Sequence, residues 1–154
     1  MMQSINRGIV SATALLLLLS VAACSKKDDA GVNDTTSLGG TPDSGPLRVS
    51  DIEIGKRIGA DKRINDKTDD FAVRDTIHVS VVTDGASTSA KLTAKWTFND
   101  KQVVDESSQT ISPAGGTTVT EFHITKASAW PTGKYKVEIM LDGVSAGTKE
   151  FQVK

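Results

Sequence analysis

Over residues 91–98 the chain alternates strictly, with Leu92, Ala94, Trp96 and Phe98 on one side and Lys91, Thr93, Lys95 and Thr97 on the other. A period of two puts successive side chains on opposite faces of an extended strand, whereas a helix would scatter these apolar residues around its circumference. The segment therefore reads as a strand with one face in a core and one in water. The same signal recurs over residues 76–83, where Ile77, Val79 and Val81 oppose His78 and Ser80. From Gly133, Tyr135, Val137, Ile139 and Leu141 oppose Lys134, Lys136 and Glu138. Residues 47–54, 102–109, 117–124 and 148–153 complete the set, with Phe122, Ile124, Phe151 and Val153 pointing inward. Asp84-Gly85, Asn99-Asp100-Lys101, Pro113-Ala114-Gly115-Gly116 and Asp142-Gly143 punctuate them as turns or breaks. Residues 57–65 fit no single pattern, residues 66–70 read as a loop, and residues 126–130 fit one helical turn. About seven strands at this spacing predict an all-β chain folded as one antiparallel β-sandwich.

Residues 47–154 have the size of one domain with one core. The sequence holds one cysteine, Cys24, so no intrachain disulfide can form and the fold rests on hydrophobic packing. Acidic and basic side chains number 19 and 18, and neither sign gathers in a long block. That leaves no basic stripe for nucleic acid and no polybasic segment for electrostatic docking on a bilayer.

The sandwich resembles the immunoglobulin-like and fibronectin type III-like domains on three features. Trp96 occupies the place of the core tryptophan of the third strand. The segment Pro131-Thr132-Gly133-Lys134-Tyr135-Lys136-Val137 resembles the corner before the sixth strand, which implies a Tyr135 hydroxyl bonded back to the backbone. Tyr135, Val137, Ile139 and Leu141-Asp142-Gly143, followed by Phe151 and Val153, look like the last hairpin of such domains. The chain departs from true immunoglobulin domains in lacking the paired cysteines, so Val79 or Val81 and Val137 fill the facing positions.

The N-terminus carries a separate message. Arg7 supplies a positive start, residues 9–19 a short leucine-rich apolar run, and Val21 to Ala23 the small residues of a secretory signal. The run stops short of the roughly 20 apolar residues that a spanning helix needs. Val21-Ala22-Ala23-Cys24 resembles the bacterial lipobox, which implies removal of residues 1–23, diacylglyceryl thioether attachment to Cys24 and acylation of its amino group. Two or three acyl chains would anchor the product to the bilayer, each buried CH₂ contributing about 0.8 kcal/mol. Ser25 and Lys26 follow the cysteine in place of the aspartate that resembles an inner-membrane retention signal, which points to the outer membrane. Residues 24–46, rich in Ser, Thr, Gly, Asp, Lys and Pro and free of aromatics, read as a flexible tether. Flexible-chain scaling gives it a span of roughly 25 Å.

Candidate chemistry is sparse. His78 and His123 are the only histidines, each on a strand opposite the core positions. They could ligate a metal if their strands are neighbours, but no thiol and no histidine pair at ligand spacing accompanies them, and the reading is that no metal or cofactor is held. Asp61, Asn65, Asp66, Asp69 and Asp70 form the densest oxygen cluster, yet Lys62, Arg63, Lys67 and Arg74 are interleaved with it and repel a cation. Ser107 and Ser108 lack a nucleophile elbow, and Asp105-Glu106 point to opposite faces of a strand. Trp130 beside Pro131 is the candidate partner-binding residue, the alternative being a plug beside Tyr135. The expectation is a noncatalytic envelope lipoprotein binding another envelope protein. A second reading is a glycan- or peptidoglycan-binding module resting on Trp130, Tyr135 and the polar strand faces, and an envelope hydrolase has the least support.

Overall fold

Alternation becomes two largely antiparallel sheets in the computed structural model, which describes residues 45–154. The signal segment, Cys24 and the tether up to residue 44 lie outside the described residues. The strands are β1 (Arg48–Gly55), β2 (Asp70–Phe71), β3 (Ile77–Ala86), β4 (Ala90–Phe98), β5 (Gln102–Ile111), β6 (Ala114–Ile124), β7 (Gly133–Leu141) and β8 (Val144–Val153). One sheet has the order β1-β3-β6 and the other β2-β8-β7-β4-β5. All neighbours are antiparallel except β2, which pairs parallel to β8 through Asp70↔Gln152 and Phe71↔Val153. The chain is an all-β, Ig-like sandwich.

The inward faces meet as the alternation requires. Ile77, Val79, Val81, Phe122 and Ile124 from the smaller sheet close on Leu92, Ala94, Trp96, Tyr135, Val137, Ile139, Phe151 and Val153 from the larger one. Each large apolar side chain fully buried this way stabilises the fold by roughly 1.5–3 kcal/mol. Val79, Val81 and Val137, the residues expected to face one another, all lie in this cluster. The corner before β7 also forms. The Tyr135 hydroxyl donates to the Pro131 carbonyl at 2.8 Å, and burial pushes the phenol's pKa upward. Its ring stacks on Phe151 with centroids 5.3 Å apart.

Two of the expected turns form hairpins. Asn99 and Asp100 take φ of 49° and 58°, and Asp142 and Gly143 take 51° and 81°, the doubly left-handed geometry of a tight hairpin. Two others do not behave as read. Asp84-Gly85 is not a turn: β3 runs through it to Ala86, with a register shift between Asp84 and Ala86. Gly85 serves a close approach there, because a Cβ would lie 2.6 Å from the Pro46 carbonyl oxygen. Gly115-Gly116 likewise lies inside β6. Residues 126–130 form no helical turn, since the Trp130 N–H leaves its own segment and donates to the Val73 carbonyl at 2.7 Å. An eighth strand, the two-residue β2, emerges at the end of the segment read as a loop.

The connection from β1 to β2 folds over the outer face of the small sheet. Bridges Gly55↔Lys67 and Ile58↔Ile64 shape it, and the Ser80 hydroxyl donates to the Lys62 carbonyl at 2.8 Å. Ile64 and Ser80 are thereby buried on a face that alternation alone assigns to water. Gly55 allows the closure, because a Cβ would sit 2.2 Å from the Asp66 carbonyl oxygen.

Asp75 pins the segment after β2. Its carboxylate accepts from the Ala72 N–H at 2.8 Å and pairs with the Lys56 ammonium at 2.9 Å. The Lys56 hydrogen bond, seconded by Ala72, holds its carboxyl below the ordinary value of 3.8. A depressed folded pKa contributes stability that is present above the unfolded value and lost as pH falls through the folded one. Asp75→Asn is therefore expected to lower stability by about 1 kcal/mol at neutral pH. Urea unfolding of the two proteins should show the gap narrowing only below pH 3.8. A gap unchanged down to strongly acidic pH would assign the loss to packing instead of charge.

Candidate functional site

The chain enters the sandwich where Pro46 bridges Ala86, at one end of β3. At the other end, β3 begins beside Ile124 and His123, and β4 ends at Phe98 opposite Gln102 and Tyr135. The strand rise of about 3.3 Å per residue separates these ends by roughly 30 Å. The candidate groups gather at the far end from residue 46.

The first feature is an open sheet edge. The larger sheet is closed on one side by the two-residue β2 and ends on the other in β5, ten residues long and paired with β4 alone. Such an edge presents a row of backbone groups that a further strand can join. A bulge interrupts it, since the register steps from Trp96↔Asp105 to Thr97↔Val103. The extra residue, Val104, packs partly against the core, while Val103 stands 51% exposed. A bulge re-aims side chains in this way. Between this start of β5 and the end of β6 opens a cleft of about 360 Å³, lined by Phe98, Val103, Val104, Asp105, His123 and Trp130 among others.

Trp130 lines that cleft but is itself buried. The ring is 6% exposed, its Nε1–H donates to the Asp75 carbonyl at 3.0 Å, and it meets Tyr135 edge-on with centroids 6.2 Å apart. Lys126 Nζ lies 5.8 Å from its centroid. The ring is thus packed at the end of the sandwich beside Tyr135. Tyr135 is buried with it, so neither ring offers a free face on which a sugar could stack.

The second feature joins residues far apart in sequence. β3 and β6 are neighbours, and His78 lies directly across from His123 in the register. Glu121, two residues before His123 and so on the same face, extends one carboxylate oxygen to both rings. Its Oε1 is 2.7 Å from His78 Nδ1 and 3.0 Å from His123 Nδ1. The imidazole centroids are 5.4 Å apart and tilted by 43°. The Glu121 backbone carbonyl accepts from Gln109 Nε2 at 2.6 Å, which ties this strand to β5. The neighbour condition set by the sequence is met. Glu121 itself was not singled out, although Glu-x-His on a strand places both side chains on one face.

The acidic cluster does not assemble. Asp61, Asp66 and Asp70 pair with Arg63, Arg57 and Lys154, so the carboxylates are taken up by cations, of which only Arg63 is interleaved with the cluster. Asp69 accepts the Gln152 N–H on its backbone oxygen, and Asn65 donates its own N–H to Arg57. Ser108 hydrogen-bonds Thr93 across the β4–β5 pair at 2.9 Å, and Glu106 lies opposite Lys95.

No family model matches the chain, and no curated protein matches it. Solved structures match part of the chain at low identity. An immunoglobulin-like protein from Pseudomonas aeruginosa is 16% identical, with a TM-score of 0.47 over 72% of this chain and 98% of its own. An alkylpurine DNA glycosylase from Pseudomonas fluorescens, bound to DNA containing an abasic site analog, is 12% identical with a TM-score of 0.48, and the match spans 70% of this chain and 30% of the glycosylase. A β-glucosidase from Listeria innocua in complex with glucose is 12% identical with a TM-score of 0.44, and 16% of its length is matched against 70% of this chain.

Proposed function

We propose that the protein is a noncatalytic, lipid-anchored module of the bacterial cell envelope, tethered through Cys24 to the outer membrane, that receives an extended segment of another envelope protein along β5. The free ten-residue edge of β5 carries this reading. An added strand gains affinity from main-chain hydrogen bonds and specificity from pockets for alternate side chains. The cleft beside the β5 bulge, with apolar Phe98, Val103 and Val104 in its lining, supplies such a pocket. The Val21-Ala22-Ala23-Cys24 motif supports the address. The glycan reading, which rested on Trp130, Tyr135 and the polar strand faces, keeps only the strand faces, since both rings are buried.

The test is photo-crosslinking in living cells from Val103 on the edge, with Val144, 72% exposed at the start of β8 near the opposite end, as the control. One recurrent protein adduct from Val103 and none from Val144 is the expected result. Repeating the experiment with Cys24→Ser should move the protein out of the membrane fraction and diminish the adduct. Equal adducts from both positions, or none from either, would overturn the β5 docking surface. Unchanged membrane fractionation of Cys24→Ser would overturn the anchor.

A further inference from the structure

We infer that His78, Glu121 and His123 form a binding site for one zinc-class divalent cation on the outer face of the small sheet, an inference that goes beyond the docking role of β5. Two imidazoles and one carboxylate are a donor set that this class of metal takes in three-ligand sites. The three donor atoms lie within 4.8 Å of one another. In a tetrahedral zinc site with bonds of about 2.0–2.1 Å, neighbouring donors stand about 3.3 Å apart. The Oε1–Nδ1 separations of 2.7 and 3.0 Å widen by a few tenths of an ångström, and the two imidazole donors, within 4.8 Å of each other, close by up to about 1.5 Å through rotation of the rings, His123 being the more exposed.

Among the described residues this is the one group of three or more His, Cys, Asp and Glu side chains placed to hold a metal, and it consumes both histidines of the sequence. The β3–β6 register fixes it, because His78↔His123 are direct partners and Ser80↔Glu121 the next pair on that face. His78 and Glu121 side chains are 18% and 16% exposed and His123 is 52% exposed, so the pocket has a sheltered floor and an open side. Rigid strands hold the donors, and Gln109 secures the backbone at Glu121.

Without metal, each Nδ1–H can donate to the shared carboxylate oxygen. When a cation binds, the Nδ1 lone pairs take it and each ring carries its proton on Nε2, where a metal-bound histidine commonly donates to a neighbour. Three protein donors leave the fourth tetrahedral position toward solvent. A water or a side chain of a docked protein can fill it.

The experiment is calorimetric titration of zinc into the full chain, tag-free and carrying Cys24→Ser so that no thiol competes, with bound metal counted after dialysis. One equivalent per chain is expected, together with a rise in thermal midpoint that grows with free zinc. His123→Gln, at the most exposed of the three positions, should weaken binding tenfold or more while leaving the zinc-free midpoint close to that of the parent. Glu121→Gln should do the same through the carboxylate. No stoichiometric zinc on the parent, or equal uptake by the His123→Gln protein, would overturn the site and leave the three side chains as a hydrogen-bonded cluster alone.

Discussion

Trp96→Ala is expected to destabilise the domain by about 3–5 kcal/mol, enough to unfold much of it when total stability is about 5–15 kcal/mol. Trp96 is fully buried on β4, which has strands on both sides, and it meets Phe151 edge-on at 6.0 Å. Truncation leaves a cavity between sheets whose backbones are fixed by ladders on both flanks, so collapse cannot refill it. The indole adds a finer test. Among the described residues, Trp96 Nε1 is a buried side-chain nitrogen without a hydrogen-bond partner. Trp96→Phe gives up volume but also removes an N–H that costs about 1–3 kcal/mol to desolvate. Urea unfolding should therefore rank the parent first, with Phe much closer to it than Ala. Equal losses for Phe and Ala would show that the ring's breadth alone matters.

Trp130→Ala is expected to cost about 3 kcal/mol and to lower the thermal midpoint by several degrees per kcal/mol. The side chain joins three segments at once. Its indole N–H reaches the Asp75 carbonyl, its backbone N–H reaches Val73, and its ring leans on Tyr135. The substitution uncovers Tyr135 and frees the stretch that carries Asp75. Trp130→Phe keeps most of the packing and should lose about 1 kcal/mol for the hydrogen bond. An Ala variant as stable as the parent would instead place Trp130 among recognition residues, so the thermal midpoint decides between plug and anchor.

Strand identities were legible because period-two alternation survives wherever one face is wet, as in β3, β4 and β7. The core followed from the same pattern, whereas the Tyr135 corner followed from the resemblance of residues 131–137 to that of immunoglobulin-like domains. Where the local code failed, distant backbone had intervened. Gly85 reads as a turn residue, but its positive φ serves the passage of residues 45–46 beside β3. The stretch before Trp130 reads as helical by composition, but its N–H bonds to Val73, some sixty residues upstream in sequence. Ser80 reads as exposed until the loop from β1 covers it. The site was half legible. Two histidines on outward strand faces were visible, yet their meeting depends on which strands pair and in what register, and neither is written locally. The open edge at β5 was hidden for the same reason, since strand order within a sheet is a property of the whole chain.

β1 fixes how the domain would respond to force. Seven registered pairs, from Arg48↔Asp84 to Gly55↔His78, join it to β3. Tension applied at residue 48 and resisted at the far end of the sandwich runs along the strand axis, across ladder bonds that lie perpendicular to it. The pairs then share the load in shear and must slip together, whereas a sideways pull would open them one after another. The sandwich is mechanically strongest along the direction in which its N-terminal strand leaves it.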